Sequence, residues 1–152
     1  MGVPPLIYRL KNDFQELSRL MDAVEQYSLI QRLDSRTTYA LKLAVEEILT
    51  NTILYGCESD RAHEIEVRVT VEDDELILEI TDDARPFNPL RIPAPAMAMA
   101  GGVESESMET PASLGLFLVR EVMDDLEYRP QPHGNMLVMR KRLGRSPSMS
   151  RS

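Results

Sequence analysis

Thiols, imidazoles and surplus cations are what this chain has least of. A single cysteine, Cys57, stands among 152 residues. No disulfide can close within the chain, and a reducing, cytoplasmic setting is expected. No histidine neighbours Cys57 to activate it, so a buried or half-buried thiol is its expected state. The two histidines, His63 and His133, lie far apart, which makes a structural zinc site a poor fit. Lysine and arginine total 17 against 25 acidic residues, a net charge of −8. A nucleic-acid binder needs a basic face to neutralise phosphates, so direct nucleic-acid binding is not expected. A nucleotide ligand stays open, because backbone dipoles and a metal can hold one inside an acidic protein. No run approaches the ~18 apolar residues of a membrane span. MGVPPLIYRL also lacks the charged start and long apolar stretch of a signal peptide, so no membrane association is expected.

What is present suits one globular domain over residues 1–143, followed by a Ser- and Arg-rich tail, 144–152, expected to be disordered. Residues 5–10 read as a strand. Phe14, Leu17, Leu20, Met21, Val24 and Tyr27 recur at helical spacing, predicting an amphipathic helix over 13–29 with Asp13 near its start. Asp34 or Ser35 can cap a second helix running to about Tyr55, with Gly56 as a left-handed stop. Ile65, Val67, Val69 and Val71 alternate with polar residues, Asp73-Asp74 marks a turn, and Leu76, Leu78 and Ile80 follow. That pattern is a β-hairpin. Residues 84–113 are rich in proline, alanine and methionine, and a stretch of that length in a small domain is expected to be a lid or disordered. A third helix is expected over 114–126, then strands near 127–131 and 135–142 turning at His133-Gly134. Hairpins without regular βαβ alternation predict an α+β two-layer sandwich, with a mixed, mostly antiparallel sheet and helices on one face.

Three places carry possible chemistry. In the second helix, Leu41, Val45, Ile48 and Thr52 form the centre of the buried stripe. Glu47 and Asn51, four apart, stack on its shoulder. They are either a solvated pair or the lining of a pocket, where an amide oxygen can ligate Mg²⁺ and a carboxylate can take a proton. Asp82 shares parity with Leu76, Leu78 and Ile80, so its carboxylate points to the core side of the strand end. There it caps the following turn or grips a donor such as an adenine amino group. Ser113-Leu114-Gly115 is expected at a helix start, where free N–H groups suit a phosphate and glycine permits close approach, although simple packing is the plainer reading. Gly134-Asn135 reads by default as a turn.

Together these segments resemble the GHKL ATPase superfamily, and within it the bacterial anti-sigma-factor serine/threonine kinases. Ala44-Val45-Glu46-Glu47-Ile48-Leu49-Thr50-Asn51 is similar to their N-box. Asp82-Asp83-Ala84-Arg85-Pro86-Phe87-Asn88-Pro89 is similar to the first glycine box, and Leu114-Gly115-Leu116-Phe117-Leu118-Val119-Arg120 to the second. Gly134-Asn135-Met136-Leu137 is like the closing strand motif. The resemblance implies a Bergerat-type ATP-binding fold with Asn51 on Mg²⁺ and Glu47 as general base. It further implies that Asp82 meets the adenine amino group, while Ala84, Phe87, Ser113, Leu114, Gly115 and Asn135 complete the ATP site. It implies a STAS-class antagonist as phosphorylation substrate, a sigma factor as sequestered partner, and a homodimer. Ala84 and Ser113 stand where the family usually has glycine, which favours binding over turnover and keeps a non-catalytic, nucleotide-dependent binding module as the alternative. The ATPase domain of a histidine kinase fits less well, since His63 and His133 fall at strand and turn positions.

Overall fold

The computed structural model describes residues 3–57, 61–88 and 111–143, with residues 111–113 described by backbone alone. The expected lid, apart from residues 84–88 at its start and the first helical turn at its end, and the expected tail lie outside the described residues.

The chain runs β1 (Leu6–Lys11), α1 (Phe14–Ile30), α2 (Ser35–Asn51), a π-helical turn (Thr52–Gly56), β2 (Glu64–Glu72), β3 (Glu75–Asp82), α3 (Pro111–Val122), β4 (Asp125–Gln131) and β5 (Gly134–Arg142). The five strands form one sheet in the order β1-β2-β3-β5-β4. Every described pairing is antiparallel, where a mixed sheet was expected. The α+β sandwich itself stands.

Local chemistry sets the element ends. The Asp13 carboxylate accepts from the Gln15 N–H and opens α1. Asp34, rather than Ser35, caps α2: its Oδ1 accepts from the Thr37 N–H at 2.7 Å, which holds its carboxyl below the usual range. Asp73 takes the left-handed conformation that the tight β2–β3 turn requires. Gly56 is a correction. It is not left-handed, and α2 ends instead by widening into the π turn, after which the Cys57 N–H returns to the Thr52 carbonyl. The third helix begins at Pro111 and ends at Val122, earlier than the periodicity places it. Leu126 therefore belongs to β4, where the same apolar parity serves a strand.

Period-two alternation sorts the sheet into two faces. On the inner face, register aligns Tyr8, Val67, Ile80, Leu137 and Tyr128 in one row, and Leu6, Val69, Leu78, Met139 and Leu126 in another. These rows pack under α1, α2 and α3 around Leu20, Leu41, Val45, Leu49 and Val119, all fully buried. Burying each such aliphatic side chain stabilises the fold by roughly 1.5–3 kcal/mol. The outer face carries ion pairs instead, such as Arg9–Glu66 and Arg140–Asp125. The next inner row, Leu10, Ile65, Asp82, Asn135, changes from apolar to polar halfway across. That row marks the site.

Candidate nucleotide site

The C-terminal end of α2 carries two of the expected side chains. Asn51 is 3% exposed, and Glu47 is half-buried one turn before it. The Asn51 Nδ2 donates to the Glu47 carbonyl at 2.7 Å. Its Oδ1, buried, has no hydrogen-bond partner among the described residues. Leaving a buried carbonyl oxygen unmatched costs about 1–3 kcal/mol, so this atom is available to a partner other than the described residues. The π turn that follows is the kind of helix irregularity found often at functional sites. Burial raises the Glu47 carboxyl above its usual range, and the neighbouring Glu46 charge pushes the same way.

Asp82 arrives from the end of β3. Its Oδ1 accepts from the Ala84 N–H at 3.0 Å and from Asn135 Nδ2 at 2.8 Å. Neither bond consumes Oδ2. Burial raises this carboxyl too, and the two hydrogen bonds oppose that rise. The carboxylate caps its own turn, as one of the two sequence readings has it, and it also lines the cavity.

Asn135 differs from Asn51. Its Nδ2 also donates to the Arg85 carbonyl, while its Oδ1 accepts from the Phe87 N–H at 2.9 Å and the Tyr128 hydroxyl at 2.5 Å. Four bonds exhaust the amide. Asn135 therefore ties Asp82 to the 85–87 segment and has no capacity left for a ligand.

The cavity brings together Asn51, Asp82, Ala84, Phe87 and Asn135 among the expected residues. Glu47, Leu114 and Gly115 are not on its wall. Gly115 is the fifth residue of α3, beyond the first turn, whose N–H groups are the ones left free. Its role is close packing: a Cβ there would stand 2.0 Å from Glu47 Oε1. The side chain of Ser113 lies outside the described residues. Ala84, where a glycine was the family expectation, is accommodated because it faces Gly56, whose own Cβ would lie 3.2 Å from the Ala84 methyl. Arg85 fastens the same segment to the π turn, donating from Nε and Nη2 to the Tyr55 carbonyl.

Sequence reasoning missed Ile48, Thr52, Arg85, Leu116, Tyr128 and Leu137 as walls. Leu137 shares strand parity with Asn135 and was open to inference. Tyr128 was not, since only the β4–β5 register brings it to Asn135.

A cavity lined largely by apolar side chains, with a buried amide oxygen and a desolvated carboxylate also on its wall, suits a flat heterocycle carrying a charged tail. The model of the histidine kinase-like ATPase domain matches residues 10–141. This chain belongs to that family. It is also 28% identical over 113 residues to the anti-sigma F factors of Clostridium perfringens strain 13 / Type A and strain SM101 / Type A, covering 68% of this chain and 71% of each relative. As an ATPase domain it takes ATP as its nucleotide. Among its described residues no helix is long and apolar enough to cross a membrane.

Proposed function

We propose that this chain is an anti-sigma factor and serine/threonine protein kinase that uses Mg-ATP to phosphorylate a STAS-class antagonist and otherwise sequesters a sigma factor, acting as a homodimer in the cytoplasm. The observation that carries the reading is the unmatched, buried Asn51 Oδ1, one helical turn from a desolvated carboxylate. An amide oxygen is a suitable ligand for Mg²⁺, a hard cation that takes few protein ligands beside phosphates. When bound, that ion offsets phosphate charge during transfer.

The chain's own residues do the rest. Asp82 offers Oδ2 to the adenine amino group, held by Asn135 and the Ala84 N–H. Ile48, Ile80 and Leu137 exclude water from the purine faces. Glu47 takes the proton from the attacking serine or threonine hydroxyl. Burial raises its pKa and makes it a stronger base than an exposed glutamate. Gly115 leaves room for that carboxylate. The similarity to anti-sigma F factors supports the sigma factor as partner.

The Ala84 methyl in the cavity wall favours a second reading, a nucleotide-dependent binding module without turnover. Transfer of radiolabelled γ-phosphate from ATP to a cognate STAS protein separates the two. The kinase reading expects transfer that Glu47→Ala lowers on the order of 100-fold or more, with ATP affinity retained. ATP binding without transfer by the wild type establishes the module instead.

A further inference from the structure

His63 is buried, at 4% exposed, yet sits outside the cavity, immediately before β2. Its Nδ1 lies 2.8 Å from Asp83 Oδ1, and its backbone N–H donates to Asn12 Oδ1 at 2.9 Å. Asn12 Nδ2 in turn donates to the Arg61 carbonyl, so the β1–α1 corner grips the segment that carries the imidazole. Asp83 is stitched to the same strand end twice more: its N–H reaches the Glu64 carbonyl and its Oδ1 accepts from the Glu64 N–H. Burying an imidazole is unfavourable unless its polar atoms are matched, and Asp83 supplies the match here.

Asp83 stands between the two groups that define the purine end of the site. Asp82 before it provides the carboxylate, and Ala84 after it provides the N–H that orients that carboxylate. From the other side Gly134 presses on the same turn: φ there is +151°, and a Cβ would stand 1.8 Å from the Asp82 carbonyl oxygen and 2.8 Å from Asp83 Cα. The turn at 82–84 is thus wedged between Gly134 and His63.

We propose that His63 is a positioning residue of the nucleotide site, acting through Asp83 to fix the turn that aims the Asp82 carboxylate at the purine. This rests on the reading of the cavity as an ATP site. Because the lever acts at the base and not at the phosphates, its loss weakens every adenine ligand alike.

The test is calorimetric binding of Mg-ATP, Mg-ADP and adenosine to the wild type, His63→Ala, His63→Asn, Asp83→Ala and the His63→Ala/Asp83→Ala double variant. His63→Ala and Asp83→Ala are each expected to weaken all three ligands by about tenfold, the scale of one hydrogen bond to a charged group. The double variant is expected to bind no worse than either single, since both break one linkage. His63→Asn places an amide nitrogen where Nδ1 was and is expected to restore affinity to within about twofold. Should His63→Ala misfold, Asp83→Ala and His63→Asn carry the test, since Asp83 is exposed. Wild-type uptake with unchanged affinity in Asp83→Ala overturns the inference alone, as do losses confined to ATP or losses that multiply in the double variant. No uptake by the folded wild type overturns the ATP reading itself and this inference with it.

Discussion

The centre of the sandwich and its pocket end are built on opposite terms. At the centre, Leu41, Val45, Leu49, Val67, Val69 and Leu78 are fully enclosed and ask for no polar partner. Towards the pocket, Asn51 Oδ1 at the end of the same helix is buried without a partner among the described residues, Glu47 and Asp82 are carboxylates held away from water, and Gly134 at the start of β5 adopts a backbone that other residues rarely take. The centre lowers the free energy of the fold. The pocket end raises it locally, and those unfavourable features persist because the centre over-determines the structure around them. Continuity of α2 and β3 through both regions is what makes this possible, since a rigid element carries the strained end in place.

That contrast can be broken or sharpened by substitution. Leu41→Ala lies wholly in the centre and is expected to lower the unfolding free energy by about 3 kcal/mol. ATP affinity of the protein that remains folded should be unchanged; calorimetric titration well below the melting temperature reads this. Asp82→Asn is the reverse case. Its Oδ1 still accepts from Ala84 and Asn135, but the amide can no longer accept from an adenine amino group, and ATP affinity is expected to fall on the order of 100-fold.

The same variant should be no less stable than the wild type, and its advantage should depend on pH with a definite sign. The folded protein holds the Asp82 proton more tightly than the unfolded chain, whose reference value is 3.8. Ionisation therefore favours unfolding as pH rises from that value through the raised folded one. Urea unfolding of the wild type and Asp82→Asn should diverge over that window, with Asp82→Asn gaining. Divergence in the opposite direction would mean that the carboxylate is stabilised in the fold.

Gly115→Ala sharpens the comparison at a single atom. The added methyl displaces the Glu47 carboxylate, the flexible end of a half-buried side chain, so on the proposed kinase reading phosphoryl transfer is expected to fall by about tenfold or more. Gly115 is buried, but the atoms its Cβ would meet belong to the movable end of the Glu47 side chain, so the melting temperature should change little. A fall in both would place Gly115 among purely structural residues. The smallest effect belongs to Asp34→Ala, far from the pocket. Loss of the cap should cost about 1 kcal/mol at neutral pH. Because the Thr37 N–H lowers the Asp34 pKa from 3.8, this stability is present above that value and lost as pH falls through the folded one. The difference between Asp34→Ala and wild type should vanish in acid, as chemical denaturation at successive pH values would reveal.

Much of this was legible in the residue order. The strand and helix periods of Val67, Val69, Leu78 and Ile80, and of Leu41, Val45 and Ile48, come from contacts between near neighbours along the chain, and burial follows them. The caps Asp13 and Asp34 and the turn at Asp73 are equally local. So is the parity that points Asp82 inward. Three other features were beyond reach for one reason. Gly115 meets Glu47 across two helices, Ala84 fits because Gly56 lies opposite, and Asn135 finds Asp82 through strand register. None of these pairs is close in sequence, and no local spacing encodes which distant atoms will touch. Chemistry that depends on one side chain's reach was written in the chain; chemistry that depends on which backbones press together was decided only when the sheet and helices closed, because close packing turns small shifts in approach into contact or collision.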